Sequence, residues 1–242
     1  MLAGCGGADD TAAPTASAET TESPAAPVEP SASPTPDAST GTGCAATDAG
    51  TPEGAATTEI VDVDGDDLPD LAWMTAGAGR TFGVTTASGA TFSAPVESAS
   101  PVAASAVVNV VGDDATPVAL VDLGRQAQLY TLTDCAVTQT ADAAGEPYVF
   151  DRGFGDQGTG VGCTDVDGVL HVAGLLATEE GGGWTVTRTL VDLTDAGKVA
   201  TNGTVEVVAE DAAATDAVVT TAQEVSCGDL VAGDDGLAEP VQ

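Results

Sequence analysis

The sequence predicts an all-β domain, an array of short antiparallel strands behind a disordered N-terminal tether. From Cys44 onward, short apolar clusters rich in β-branched residues alternate with Gly, Asp and Pro. None keeps the i, i+3, i+4, i+7 stripe of an amphipathic helix for helical length. Aromatic residues are only 3% of a chain that is 43% hydrophobic, much of it Ala and Val. A core of small side chains of this kind suits strands.

Charge narrows the function classes. Five Lys+Arg against 38 Asp+Glu give a formal charge of −33. Such an excess repels nucleic acid and anionic lipid, because neither can be held without basic residues to neutralise phosphate, so no nucleic-acid partner is expected. It favours cations wherever carboxylates converge. No run approaches the eighteen or so apolar residues of a membrane-spanning helix.

The front end reads as an anchor and a spacer. Leu2, Ala3, Gly4 and Cys5 spell "LAGC", which resembles the lipobox of prokaryotic lipoproteins. That resemblance implies that Cys5 is the lipid acceptor and that the protein is held on the outer face of the cell membrane by this anchor. Only Met1 precedes the box, where such signals carry a positive and then an apolar region, so the reading places the rest of the signal peptide upstream. Residues 6–43 contain no aromatic residue and no Lys or Arg, and Val28 is their one aliphatic larger than Ala. They cannot bury enough apolar surface to offset their ordering entropy. The expected organisation is therefore a lipobox remnant at 1–5, a disordered linker at 6–43 and an all-β domain at 44–242.

Within that domain the expected strands are "TTEIVDV", "DLAWM", "TFGVTT", "AVVNVV", "TPVALVDL", "AQLYTL", "VLHVAGLL", "WTVTRTLVDL", "GTVEVVAE" and "DAVVTT". Three stretches align as a repeat: "EIVDVDGDDLPDLAWM" (59–74), "AVVNVVGDDATPVALV" (106–121) and "VGCTDVDGVLHVAGLL" (161–176). Each has an apolar rise, a turn with Asp or Asn and Gly, then a second apolar run. Asp62, Asn109 and Asp165 occupy the equivalent place, 47 and 56 residues apart. A period near fifty with a strand–turn–strand unit predicts a small or degenerate β-propeller-like array.

Asp62, Asp64, Gly65, Asp66, Pro69 and Asp70 in "DVDGDDLPDL" resemble the signature of FG-GAP/VCBS repeats, the integrin-α-type propeller blades. "RTFGVTTASGATFSAPV" (80–96) resembles the strand pair that follows in such blades. The resemblance covers about 60–180. It implies a propeller-like fold with calcium in outer hairpin loops, in an exported or cell-surface protein.

The loop supports calcium on its own chemistry. Calcium takes six to eight oxygen ligands, and carboxylates at alternate loop positions can wrap inward around it. The alternate positions here are Asp62, Asp64, Asp66, Leu68 through its carbonyl, and Asp70. The weaker copies keep Asp165 and Asp167, or Asn109, Asp113 and Asp114, and are expected to survive only as hairpin turns. One calcium ion is therefore the expected cofactor.

Cys44, Cys135, Cys163 and Cys227 are scattered singly with no CxxC pair, as disulfides are in an exported protein. Of three connectivities, the expected one joins Cys135 to Cys163 between adjacent blades and Cys44 to Cys227 as a closure. His171 reads as a half-buried strand residue, Trp73 and Trp184 as core anchors, and "NGT" at 202–204 as a glycosylation sequon in a host that uses it. No catalytic set is visible, and a non-enzymatic scaffold is expected, bound to an envelope or extracellular protein or glycan. The contrasting reading is a secreted polysaccharide hydrolase whose acidic pair is hidden among the carboxylates. A third takes the acidity as adaptation to molar salt.

Overall fold

The structure is a computed structural model that describes residues 43–77, 79–153 and 159–241. Cys5 and the linker, apart from Gly43, lie outside these residues. The all-β expectation is met by three sheets.

The first sheet is an antiparallel meander of β1 (Ala56–Ile60), β2 (Asp70–Met74), β3 (Thr81–Thr85) and β4 (Thr91–Pro95). The second runs through β5 (Ser105–Val111), β6 (Thr116–Asp122), β7 (Gln126–Thr131) and β8 (Thr138–Gln139), and β9 (Val149–Asp151) also pairs with β7. The third begins as another meander, of β10 (Thr159–Val166), β11 (Val169–Glu180), β12 (Gly183–Thr194) and β13 (Val199–Ala212). Helix α1 (Ala217–Thr221) then leads to β14 (Val225–Cys227), parallel to β10, and β15 (Leu230–Val231). The last strand, β16 (Leu237–Ala238), returns to pair with β5. Each of the three repeated stretches folds as the first hairpin of one sheet: β1–β2, β5–β6 and β10–β11.

Two cores explain the apolar pattern. Ala72, Met74, Phe82 and Val84 of the first sheet pack with Ala106, Val108, Ala119, Val121 and Tyr130 of the second. The alternate residues of the second sheet, Val107, Val118, Leu120 and Leu129, pack instead with Val161, Val172, Val191 and Val225 of the third. The middle sheet is thus buried on both faces, and "AVVNVV" and "TPVALV" are continuous apolar runs rather than alternating ones for that reason. Tyr130 crosses the first core, its ring 6.2 Å from that of Phe82 and its hydroxyl donating to Gln128 Oε1 at 2.7 Å. Burial, and then the charge of Glu97, pushes its pKa up to about 12.

Two expectations are corrected. "DAVVTT" forms α1 and not a strand. Val219 and Ala222, both 0% exposed, stand three residues apart and share one helical face, which packs with Ala177 and Val186 in a third cluster. That burial outweighs the β propensity of the valines. The disulfides are Cys44–Cys135 and Cys163–Cys227, in place of Cys135–Cys163 and Cys44–Cys227. Cys227 docks opposite Cys163 because β14 lies on β10, and the segment before β1 reaches the turn between β7 and β8. Closing separations of 91 and 64 residues stabilises the fold by about 4 to 5 kcal/mol each on the chain-entropy account.

The chain's end is clamped by charge. Arg80 and Glu239 form an ion pair with side chains 9% and 8% exposed. Glu239 also accepts the N–H groups of Gly77 and Ala104, at 3.0 and 2.8 Å. Burial would raise its pKa, but the two N–H groups and Arg80 prevail and hold it below the ordinary value.

Candidate metal centre

Residues 61–69 connect β1 to β2, and the loop is organised by its own aspartates. Asp62 Oδ1 accepts the N–H groups of Asp64 and Gly65, at 3.1 and 2.7 Å, and its Oδ2 accepts that of Asp67 at 2.7 Å. Burial works to raise the pKa of Asp62, but the N–H groups of Gly65, Asp67, Asp64 and Asp66 outweigh it and hold the carboxyl below its usual value. Asp67 takes φ 64, the left-handed region that Asp tolerates better than most residues.

Asp70 begins β2 with its side chain on the core side, and the residue is 3% exposed. Its Oδ2 accepts the N–H of Val63 at 2.8 Å and its Oδ1 that of Ala87 at 2.9 Å. The carboxylate therefore ties the loop to the turn between β3 and β4. Burial raises its pKa; the two N–H groups oppose this, and the charges of Asp64 and Asp62 add to it.

Asp64 faces the segment before β1. Its Oδ2 accepts the N–H of Cys44 at 2.8 Å, while its Oδ1 is buried with no hydrogen-bond donor among the described residues. Gly43 passes so close that a Cβ there would lie 2.9 Å from Asp64 Oδ2 and from Asp66 Cβ, so the approach requires glycine.

One oxygen from each of Asp62, Asp64 and Asp70 lies within 4.8 Å of the others, the one such acidic group among the described residues. Asp66 stands apart from this triad, its Oδ1 accepting the N–H of Leu68 at 2.9 Å, and Leu68 is 46% exposed. Three carboxylates at this spacing repel one another, and a hard cation relieves that repulsion with the oxygen ligands it prefers. The donor set, all oxygen with no Cys or His, fits calcium better than a softer metal. The amides of Cys44 and Ala87, which position Asp64 and Asp70, carry no sequence signal, since any residue but proline supplies one.

The other copies gather no such group. Asp165 Oδ1 accepts the N–H of Gly168 at 3.1 Å. Asn109 donates through Nδ2 to the Cys227 carbonyl at 3.2 Å. Asp113 and Asp114 sit exposed in the turn between β5 and β6. Half-buried His171 lies on β11, where it lines a cavity of about 220 Å³ with Asp113, Asp114 and Asp192. Trp73 is 3% exposed, and Trp184 is half-buried against the third cluster. Asn202 is exposed on β13, its Oδ1 accepting the Tyr148 hydroxyl. No described helix is long and apolar enough to cross a membrane.

Fold and loop together define a disulfide-bridged all-β domain with a three-carboxylate loop between its first two strands. No protein-family model, curated protein or solved structure matches the chain.

Proposed function

We propose that this protein is a lipid-anchored component of the cell envelope whose β domain binds one calcium ion and serves a binding or structural role. One observation carries the calcium reading: Asp62, Asp64 and Asp70 converge while a buried oxygen of Asp64 lacks a donor among the described residues. A calcium ion held by the triad would satisfy that oxygen, and further ligands up to its usual six to eight would come from backbone or water. Its chemistry would be structural, pinning the β1–β2 loop to the turn between β3 and β4. Three four-stranded meanders in chain order, each opening on a copy of the repeat, support a propeller-like array. The "LAGC" box and the spacer support the anchor.

The test is a calorimetric calcium titration of the full chain beside Asp64→Ala. A single saturable site that the variant loses would support the reading. Absence of heat, with a melting temperature indifferent to chelator, would reduce the loop to an acidic turn. Metabolic labelling with a fatty-acid analogue, compared with Cys5→Ser, tests the anchor independently.

A further inference from the structure

The two disulfides differ in access at a single residue. Cys163 and Cys227, 6% and 1% exposed, lie in the second core. Cys44 is 6% exposed as well, but its partner Cys135 is exposed in the turn between β7 and β8. Exchange requires an attacking thiolate to reach a sulfur, so its rate follows access. Asp134 and Cys135 also hold φ values of 58 and 55, which are unfavourable for residues with a Cβ.

What the bridge holds is a strap across the outer face of the first sheet. The Cys44 carbonyl accepts the Ser88 hydroxyl at 2.6 Å. Thr47 N–H donates to the Gly89 carbonyl at 3.2 Å, and its Oγ1 accepts the N–H of Thr91 at 3.0 Å. Thr51 Oγ1 then meets Thr85 Oγ1 at 2.9 Å before β1 begins.

Trp73 lies on that same outer face. It is opposite Gly83 in register, and a Cβ on Gly83 would be 2.2 Å from the indole, so the ring lies flat over the glycine. On a face whose neighbours Thr57 and Ser93 are exposed, Trp73 is nevertheless 3% exposed, and on this face the strap runs from Thr51, beside Thr85 of β3, to the start of β1, with β2 and Trp73 between those two strands. Its Nε1–H is buried without an acceptor among the described residues. A buried donor left unpaired raises the free energy of the closed arrangement. The covalent bridge adds a constraint that the strap's few hydrogen bonds, exposed or part-buried, do not supply.

We propose that Cys44–Cys135 is a redox clasp, opened by a dithiol reductant while Cys163–Cys227 stays closed, and that its opening releases residues 43–55 and uncovers Trp73. The reductant's thiolate attacks Cys135 Sγ, forming a mixed disulfide and expelling Cys44 as a thiolate that takes up a proton. The second reductant thiol, as its thiolate, resolves the mixed disulfide and frees Cys135. Two electrons and two protons thus pass from the dithiol to the two cysteines, and the dithiol leaves as a disulfide. Cys44 N–H also donates to Asp64 Oδ2 in the aspartate loop, but the clasp is read from thiol labelling and tryptophan emission and requires no calcium.

The experiment treats the oxidised full chain with dithiothreitol under native conditions and stops samples by alkylation, so that mass spectrometry times each cysteine. Tryptophan emission and acrylamide quenching are followed in parallel, in wild type, Trp184→Phe and Cys44→Ser/Cys135→Ser. Cys44 and Cys135 should be labelled together, on the order of tenfold or more ahead of Cys163 and Cys227. Emission should shift to the red with the same time course, in wild type and, where it folds, in Trp184→Phe. The double serine variant should show the shifted emission from the start and ignore the reductant. Equal rates for the two bridges, or opening of Cys44–Cys135 with emission unchanged, would overturn the proposal.

Discussion

Asp-Val-Asp-Gly occurs twice in this chain, at 62–65 and at 165–168, with opposite results. Both copies make the same local bond, the first aspartate accepting the glycine N–H at 2.7 Å in one and 3.1 Å in the other. In the second copy Val166 pairs with Val169, and Asp167 and Gly168 take φ 55 and 89, a two-residue turn of the primed kind that suits strand twist. In the first, β1 ends at Ile60 and β2 begins only at Asp70. Asp66, Asp67, Leu68 and Pro69 intervene, and proline cannot donate to a ladder. The tetrapeptide encodes the aspartate-to-glycine bond alone. The residues after it decide whether the chain closes as a hairpin or opens into a loop that can gather carboxylates.

The comparison is broken most severely at Asp70. Asp70→Ala leaves the buried N–H groups of Val63 and Ala87 without their acceptor, and should cost about 2 to 4 kcal/mol in urea unfolding. Next comes the middle aspartate of each copy. Asp64→Asn should weaken calcium binding by about tenfold or more in calorimetry, since a neutral amide replaces a charged ligand. Asp167→Asn should leave calcium binding unchanged and stability nearly so, because Asn accepts φ 55 as readily as Asp does.

A smaller effect sharpens the contrast through pH. Burial, reinforced by the charges of Asp64 and Asp62, raises the pKa of Asp70 above 3.8, so the folded state holds this proton more tightly than the unfolded chain. In calcium-free buffer the resulting stability is full below 3.8 and is lost as pH rises through the folded value. Asp62, held below 3.8, contributes in the opposite sense: its stability is present above 3.8 and lost as pH falls through its folded value. Asp70→Asn should therefore flatten the decline on the upper side, read from urea midpoints between about pH 4 and 7. Calcium, which favours the ionised form, should do the same in wild type. Small too is the effect of Asp165→Ala, which removes one exposed hydrogen bond and should cost about 0.5 to 1.5 kcal/mol.

How far the sequence reads correctly follows from the range of the interactions. Nine of the ten expected apolar clusters overlap strands, since strand alternation and Gly or Asp turns are encoded within a few residues. "DAVVTT" fails because its fate depends on the sheet face that Val219 and Ala222 cover. Asp62, Asp64 and Asp70 were visible as phased carboxylates. Their supports were not: the Cys44 amide is 20 residues from Asp64, and the Ala87 amide 17 from Asp70. Asp66 has the right phase, yet its Oδ1 accepts the nearby N–H of Leu68.

By itself the sequence determined the all-β class, the three hairpins, the turn chemistry at Asp167 and Gly168, and the acidity that invites a cation. These rest on side-chain alternation, allowed backbone angles and charge, which act over a few residues or simply add. Only the tertiary structure decided the disulfide partners, the burial of the middle sheet on both faces, the strap over Trp73 and which three of the loop's aspartates meet. Those outcomes depend on contacts between groups 17 or more residues apart, where the free energy of packing whole sheets outweighs any local preference.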